Sequence, residues 1–196
     1  MKKILYALVL ISMLWGGCVR YDIHTIKKGT KTLTYRINST NTFSEKAYFQ
    51  ASTLVSGILD KDYEDVQIKS FTISSIKFDL SPNTTNKASS VAVESVYITG
   101  FRSGRLTSFE NFNLDKGTNT EVKDFLDSAG LIVVNLEVTN LLKGLNKDDL
   151  RLDIQGNVVP RGQLASFTLN VQIDYSVDFT HCVDSIHPSS APRCII

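Results

Sequence analysis

Between residues 25 and 180 the sequence holds neither a histidine nor a cysteine: His24 and Cys18 precede this stretch, and His181, Cys182, His187 and Cys194 follow it. Histidine is the side chain most readily tuned to exchange protons near neutral pH. Its absence from the body of the chain leaves Ser-His-Asp and Cys-His chemistry without an evident home, so no catalytic residue is assigned and no enzyme is expected. A hydrolase built from carboxylates alone stays open, because such acids meet in space rather than in sequence. An excess of one charge is also lacking. The 21 Lys and Arg against 20 Asp and Glu are spread along the chain, which gives no electrostatic footprint for nucleic acid. Long apolar runs are missing too. A spanning helix needs about 20 apolar residues, and the longest run here, ILYALVLISML from Ile4 to Leu14, ends at Trp15, Gly16 and Gly17. The hydrophobic fraction, 42%, suits a folded chain rather than a disordered one.

What is present at the start has an order of its own. Lys2 and Lys3 form a short positive region, the apolar run follows, and small residues close it, which is the layout of a secretory signal peptide. Directly behind stands Cys18. The stretch LWGGC resembles a bacterial lipoprotein signal, whose lipobox has an aliphatic residue, two small residues and then the cysteine that is lipidated. Gly16, Gly17 and Cys18 match, while Trp15 stands where the family usually has Leu, with Leu14 one place early. The resemblance covers only the first stretch of the chain, up to Cys18. It implies removal of residues 1–17, a lipid such as palmitate on Cys18, and a chain held at the cell envelope, on the outer membrane by preference, with its domain in the periplasm or at the cell surface. Loss of Lys2 and Lys3 takes the formal charge from +1 to −1.

With Cys18 set aside, Cys182 and Cys194 remain as an even pair. An oxidising compartment permits a disulfide between them, and cysteine arithmetic predicts one. His181, Cys182, His187 and Cys194 are also ligand types for zinc. Their spacing matches no usual zinc pattern, and a tail containing Ser and Pro makes a poor cage, so no metal and no cofactor is expected.

Along the body, apolar periodicity favours strands. KTLTYRI, Lys31 to Ile37, alternates with Leu33, Tyr35 and Ile37 on one side. Thr42 and Glu45 have capping-box spacing, and Phe43, Ala47, Ala51, Leu54, Val55 and Ile58 follow at helical intervals, predicting a helix that ends near Leu59. Val66 to Ser81 is β-rich, but its apolar positions change parity twice, after Ile68 and after Ile73. Each change predicts a bulge or a break. Ser81 to Ser90 reads as a polar loop, Val91 to Thr99 and Arg105 to Leu114 as strands, and Thr120 to Asp127 as a short helix. LIVVNLEV, Leu131 to Val138, reads as a strand buried on both faces, and Leu150 to Val159 as a strand stopped by Pro160. From Phe167 to Phe179 every odd position is apolar and every even one polar, a strand of about 43 Å with one face on a core.

These elements predict a mainly β fold, an antiparallel β-sandwich or curved sheet with one helix. The expected organisation is a signal peptide over 1–17, a lipid-side tether over 18–30, a single β-rich domain over 31–180 and a Ser- and Pro-containing tail over 181–196.

Two acidic stretches invite a calcium reading. In DKDYED, Asp60, Asp62 and Glu64 alternate as in an EF-hand loop, but Asp65 takes the glycine place and Phe71 that of the bidentate Glu, so a solvated loop is the better account. Asn146 to Asp149 is read the same way. Tyr97, Phe101, Phe109 and Phe112 could line a ligand groove, although aromatics at strand positions are more often core. The leading expectation is a non-enzymatic envelope lipoprotein that touches the membrane through its lipid and other envelope proteins through its domain. A module binding lipid, hydrophobic cargo or carbohydrate, with a cavity between the sheet and the helix at Phe43 to Leu59, is the alternative.

Overall fold

The computed structural model describes residues 19–59, 64–99, 103–107, 111–114, 118–121, 128–145 and 150–185. Nine strands and two helices are described: β1 (Val19–Ser39), β2 (Thr42–Phe49), α1 (Ala51–Val55), β3 (Glu64–Pro82), β4 (Ser90–Thr99), β5 (Ser103–Thr107), β6 (Asn111–Asn113), β7 (Thr118–Glu121), α2 (Ser128–Leu142), β8 (Leu150–Val159) and β9 (Ala165–Ser185). They form two antiparallel sheets, β1-β9-β3-β7 and β2-β8-β4-β5, with β6 also on β4. The fold is a β-sandwich with a small helical part.

The perfect alternation of the C-terminal stretch makes β9 the spine of the first sheet. Phe167, Leu169, Val171, Ile173, Tyr175, Val177 and Phe179 are all buried. Their inward row packs with Leu33, Tyr35 and Ile37 of β1 and Ile76, Phe78 and Leu80 of β3 against Phe43, Leu152, Ile154, Val158, Val91, Val93 and Val96 of the second sheet. Phe43 meets Phe167 edge to face at 5.9 Å between centroids. A hydrogen bond crosses the core between the sheets, from the Tyr35 hydroxyl to the Leu152 carbonyl at 3.1 Å. Burial, helped by the Asp153 carboxylate, pushes the Tyr35 pKa well up, which keeps that donor protonated.

The first sheet is far longer than the second. β1 pairs with β9 over 21 residues, from Val19 opposite Ser185 to Ser39 opposite Ala165, without a register shift. The second sheet covers only one half of it. Over the other half the covering layer is helical: Val55, Ile58, Leu59, Leu131, Leu141 and Leu142 pack against the core there. Residues 19–30, expected as a tether, are therefore the outer half of a strand, and β9 continues to Ser185, past the expected domain end at 180. Alternation is weak in 19–30 because no sheet lies opposite. Thr25, Lys27 and Gly29 on the inner face are only half-buried.

Three further expectations are corrected. Thr42 to Phe49 is strand β2, paired with β8 from Asn157 to Leu150, and only Ala51–Val55 is helical. Inward positions Phe43 and Phe49, with Ala47 half-buried between them, follow period two. LIVVNLEV lies within helix α2, not in a strand. Of its buried residues, Gly130, Val134, Glu137 and Val138 fall on one helical face, and Thr139 turns toward β3. Thr118–Glu121, which overlaps the short helix expected from Thr120, is strand β7 on β3; residues 122–127 lie outside the described residues.

Helix α2 closes an open edge. β7 pairs with β3 only at Lys77 to Leu80. Further along that edge, the Phe71 N–H donates to Thr139 Oγ1 at 2.9 Å and the Ile73 N–H to Asn135 Oδ1 at 3.1 Å. Four residues of helix rise about 6 Å and two residues of strand about 6.6 Å, so an i, i+4 pair on a helix matches an i, i+2 pair of strand amides. Side chains replace a ladder here and deny the edge to another strand.

Candidate functional site

The most developed polar constellation lies on the outer face of the long sheet, around Asp174 of β9. Its Oδ1 accepts from Thr30 Oγ1 at 2.8 Å and Gln172 Nε2 at 3.0 Å, and its Oδ2 from Ser75 Oγ at 2.8 Å and Lys77 Nζ at 3.3 Å. Three strands thus meet at one carboxylate. The bulge predicted by the parity change after Ile73 makes this possible. Register slips between Ile73 and Ser75, Ser74 Oγ donates to the Asp174 carbonyl at 3.1 Å, and Ser75 reaches the carboxylate. Burial would raise the Asp174 pKa, but the bonds from Thr30, Ser75, Gln172 and Lys77 outweigh it and hold the value at about 2. A carboxylate so saturated stays ionised near neutrality and is unsuited to pass protons there.

Two shallow depressions flank this hub. One, of about 300 Å³, is lined by Thr32, Lys77, Asp79, Asn170 and Gln172. The other, of about 420 Å³, is lined by Lys28, Gly29, Thr30, Ser74, Asp174 and Tyr175. Both are open and polar, unlike the mostly apolar, enclosing clefts that hold small hydrophobic ligands.

Further out on the same sheet, His24 Nε2 stands 2.6 Å from Asp178 Oδ1, on a half-exposed surface. His181 is buried on the opposite face, 3.2 Å from Thr25 Oγ1. On the second sheet Arg151 grips Asp153 with two bonds of 2.7 Å, which uses both carboxylate oxygens. These acids are engaged within the fold.

The sequence candidates divide accordingly. Cys182 is buried and disulfide-bonded, with Sγ 3.6 Å from Asp22 Oδ1. Cys18, Cys194 and His187 lie outside the described residues. His181 and Cys182 are consecutive on a strand and so point to opposite faces, one to Thr25 and one to Asp22. That separation argues against their sharing one ion, and no group of three or more potential metal ligands occurs among the described residues. Asp60 to Tyr63 and Asn146 to Asp149 lie outside the described residues, as do Phe101 and Phe109. Phe112 is core, tilted against Phe78 at 6.4 Å. Around the expected cavity by the helix, Ala51 and Leu54 are buried, and the Tyr175 hydroxyl donates to the Leu54 carbonyl, pinning α1 to the long sheet. Sequence reasoning missed the Asp174 hub because its donors come from three strands; the Ser74-Ser75 pair at a parity change was the available signal. Among the described residues no helix is long and apolar enough to cross a membrane.

No family model matches the chain, and no curated protein matches it. Among solved structures it is similar to decameric BFDV capsid protein, with 8% identity, 79% of this chain and 99% of that chain covered, and a TM-score of 0.38. It is also similar to 60-mer BFDV capsid protein, with 6% identity, 88% and 98% covered, and a TM-score of 0.31.

Proposed function

We propose that this chain is a non-enzymatic envelope lipoprotein, anchored through a lipid on Cys18, whose β-sandwich serves as a structural or protein-interaction component of a cell-envelope assembly. The observation that carries the reading is the order Lys2-Lys3, apolar run, Gly16-Gly17-Cys18. Val19 opens β1, so a lipid on Cys18 would join the domain with no flexible spacer between them. The saturated state of Asp174 and Asp153 supports a binding role over carboxylate catalysis. For the ligand-binding alternative, the open depressions beside Asp174, lined by polar side chains, suit a polar ligand better than a hydrophobic cargo.

Fractionation of the native host tests the anchor. The wild-type chain is expected in the membrane fraction carrying radiolabelled palmitate, and a Cys18→Ala variant is expected to lose the label and normal processing. A Cys18→Ala chain that is processed normally, with the wild type recovered from the aqueous periplasm, overturns the reading.

A further inference from the structure

We propose that the free edge of β1 is a self-association surface, on which a second copy of this chain lays its own β1 antiparallel, with Thr25 facing Thr25 across a twofold axis. β1 ends the sheet order. It has β9 on one side, and among the described residues no strand on the other. At 21 residues this edge runs about 70 Å. Proteins usually blunt such edges with bulges, prolines or short strands. β1 is long, its pairing to β9 is free of register shifts and it contains no proline; the one blunting device it carries is charge, at Lys27, Lys28 and Lys31, so a partner strand must meet those lysines. It also carries large apolar side chains in the open, Ile23 at 40% exposure and Ile26 at 60%.

Charge selects the register. A twofold axis perpendicular to a sheet places opposed residues on the same face, so one residue of β1 must face its own copy. Centring on Lys27 or Lys28 sets like charges against each other, which destabilises a strand pair. Centring on Thr25 sets Asp22 opposite Lys28, twice by symmetry. The same register places Ile23 against the aliphatic stem of Lys27 and Ile26 against His24, whose ring is already held by Asp178 at 2.6 Å. Each exposed isoleucine then finds cover, and backbone from Val19 to Lys31 gains a ladder. The two four-stranded sheets become one continuous sheet. Lys28 is exposed and Asp22 half-buried beside Cys182 of β9, with Asp22 Oδ1 3.6 Å from Cys182 Sγ.

Sedimentation equilibrium of the full chain in mild detergent tests this. A dimer is expected at micromolar concentration. Lys28→Asp places two carboxylates opposite each other and is expected to weaken the dimer at least about tenfold. Asp22→Lys is expected to act alike, and the double variant, in which the charges are exchanged, to return to within about twofold of the wild type. Because Asp22 touches Cys182, circular dichroism on each variant separates lost pairing from lost fold; Lys28→Asp alone keeps the test valid if Asp22→Lys does not fold. A monomer throughout, a dimer that Lys28→Asp leaves unmoved, or a double variant no tighter than the singles each overturns the proposal. A monomer whose β1 edge instead takes a strand from another envelope protein overturns it as well.

Discussion

The Tyr175 ring lies across Gly29, its cross-strand partner, so closely that a Cβ at position 29 would stand 2.7 Å from the ring. The same relation recurs between Phe43 and its partner Gly156, where a Cβ would meet the Phe43 ring at 2.4 Å and the Ala92 carbonyl oxygen at 2.3 Å. Each glycine lets an aromatic ring fold over the strand beside it. The two sites differ in what can yield. At Gly29 the obstacle is the end of a side chain, although one stacked on Phe71 at 5.0 Å and bonded to Leu54. At Gly156 it includes backbone. Gly29→Ala is therefore expected to cost about 1–3 kcal/mol and Gly156→Ala more, on the scale of overpacked cores. Urea unfolding of both variants checks the order; equal losses would contradict it.

Helix α2 is expected to protect two specific amides. Thr139→Val removes the oxygen that accepts from the Phe71 N–H and leaves that donor buried, at about 1–3 kcal/mol. Asn135→Leu does the same at Ile73. Hydrogen exchange should show faster exchange at Phe71 in the first variant and at Ile73 in the second, with the opposite amide less affected. Uniform acceleration across β3 would mean that the helix acts through packing alone.

Asp174 links stability to acid. Its folded pKa, about 2, lies below the ordinary carboxylate value, so the unfolded chain binds more protons in this range. Its stabilising contribution is complete above about pH 4 and is lost as pH falls toward about 2. Asp174→Asn should lower stability at neutral pH and flatten the dependence between those limits. A variant with an unchanged acid slope would show that the four hydrogen bonds do not favour the charged form.

Cys182 is disulfide-bonded, and the pairing proposed from the cysteine count is with Cys194. A non-reducing peptide map should recover these two residues in one cross-linked species. Cys194→Ser should abolish it and cost about 3 kcal/mol or less, since the loop is short. A map joining Cys182 to Cys18 would remove the lipid from the account at the same time.

Much of the long sheet was legible in the sequence, for a physical reason: period-two burial writes itself into β9 from Phe167 to Phe179, and the parity changes after Ile68 and Ile73 mark the register shifts found between Ile68 and Ser70 and between Ile73 and Ser75. β8 was read to its ends because Pro160 stops it. Helix α2 was not legible as a helix. Its buried face carries Val134 and Val138, but its outer face carries exposed Ile132 and Leu136, so the apolar run hides the helical period. β2 was mistaken because Phe43, Ala47 and Ala51 fit either period, and Thr42 with Glu45 matches a capping box by spacing alone. For the Asp174 hub the sequence offers only the Ser74-Ser75 pair at a parity change: Thr30, Ser75 and Asp174 are far apart in sequence and meet only through the pairing of β1 and β3 with β9.

The measurement that bears most directly on the anchored-lipoprotein account is mass spectrometry of the N-terminal peptide of the mature protein from its own host. The account predicts a chain that begins at Cys18 and carries a covalently attached lipid on its sulfur. A mature chain that begins elsewhere, or an unmodified Cys18 thiol at its start, would contradict it.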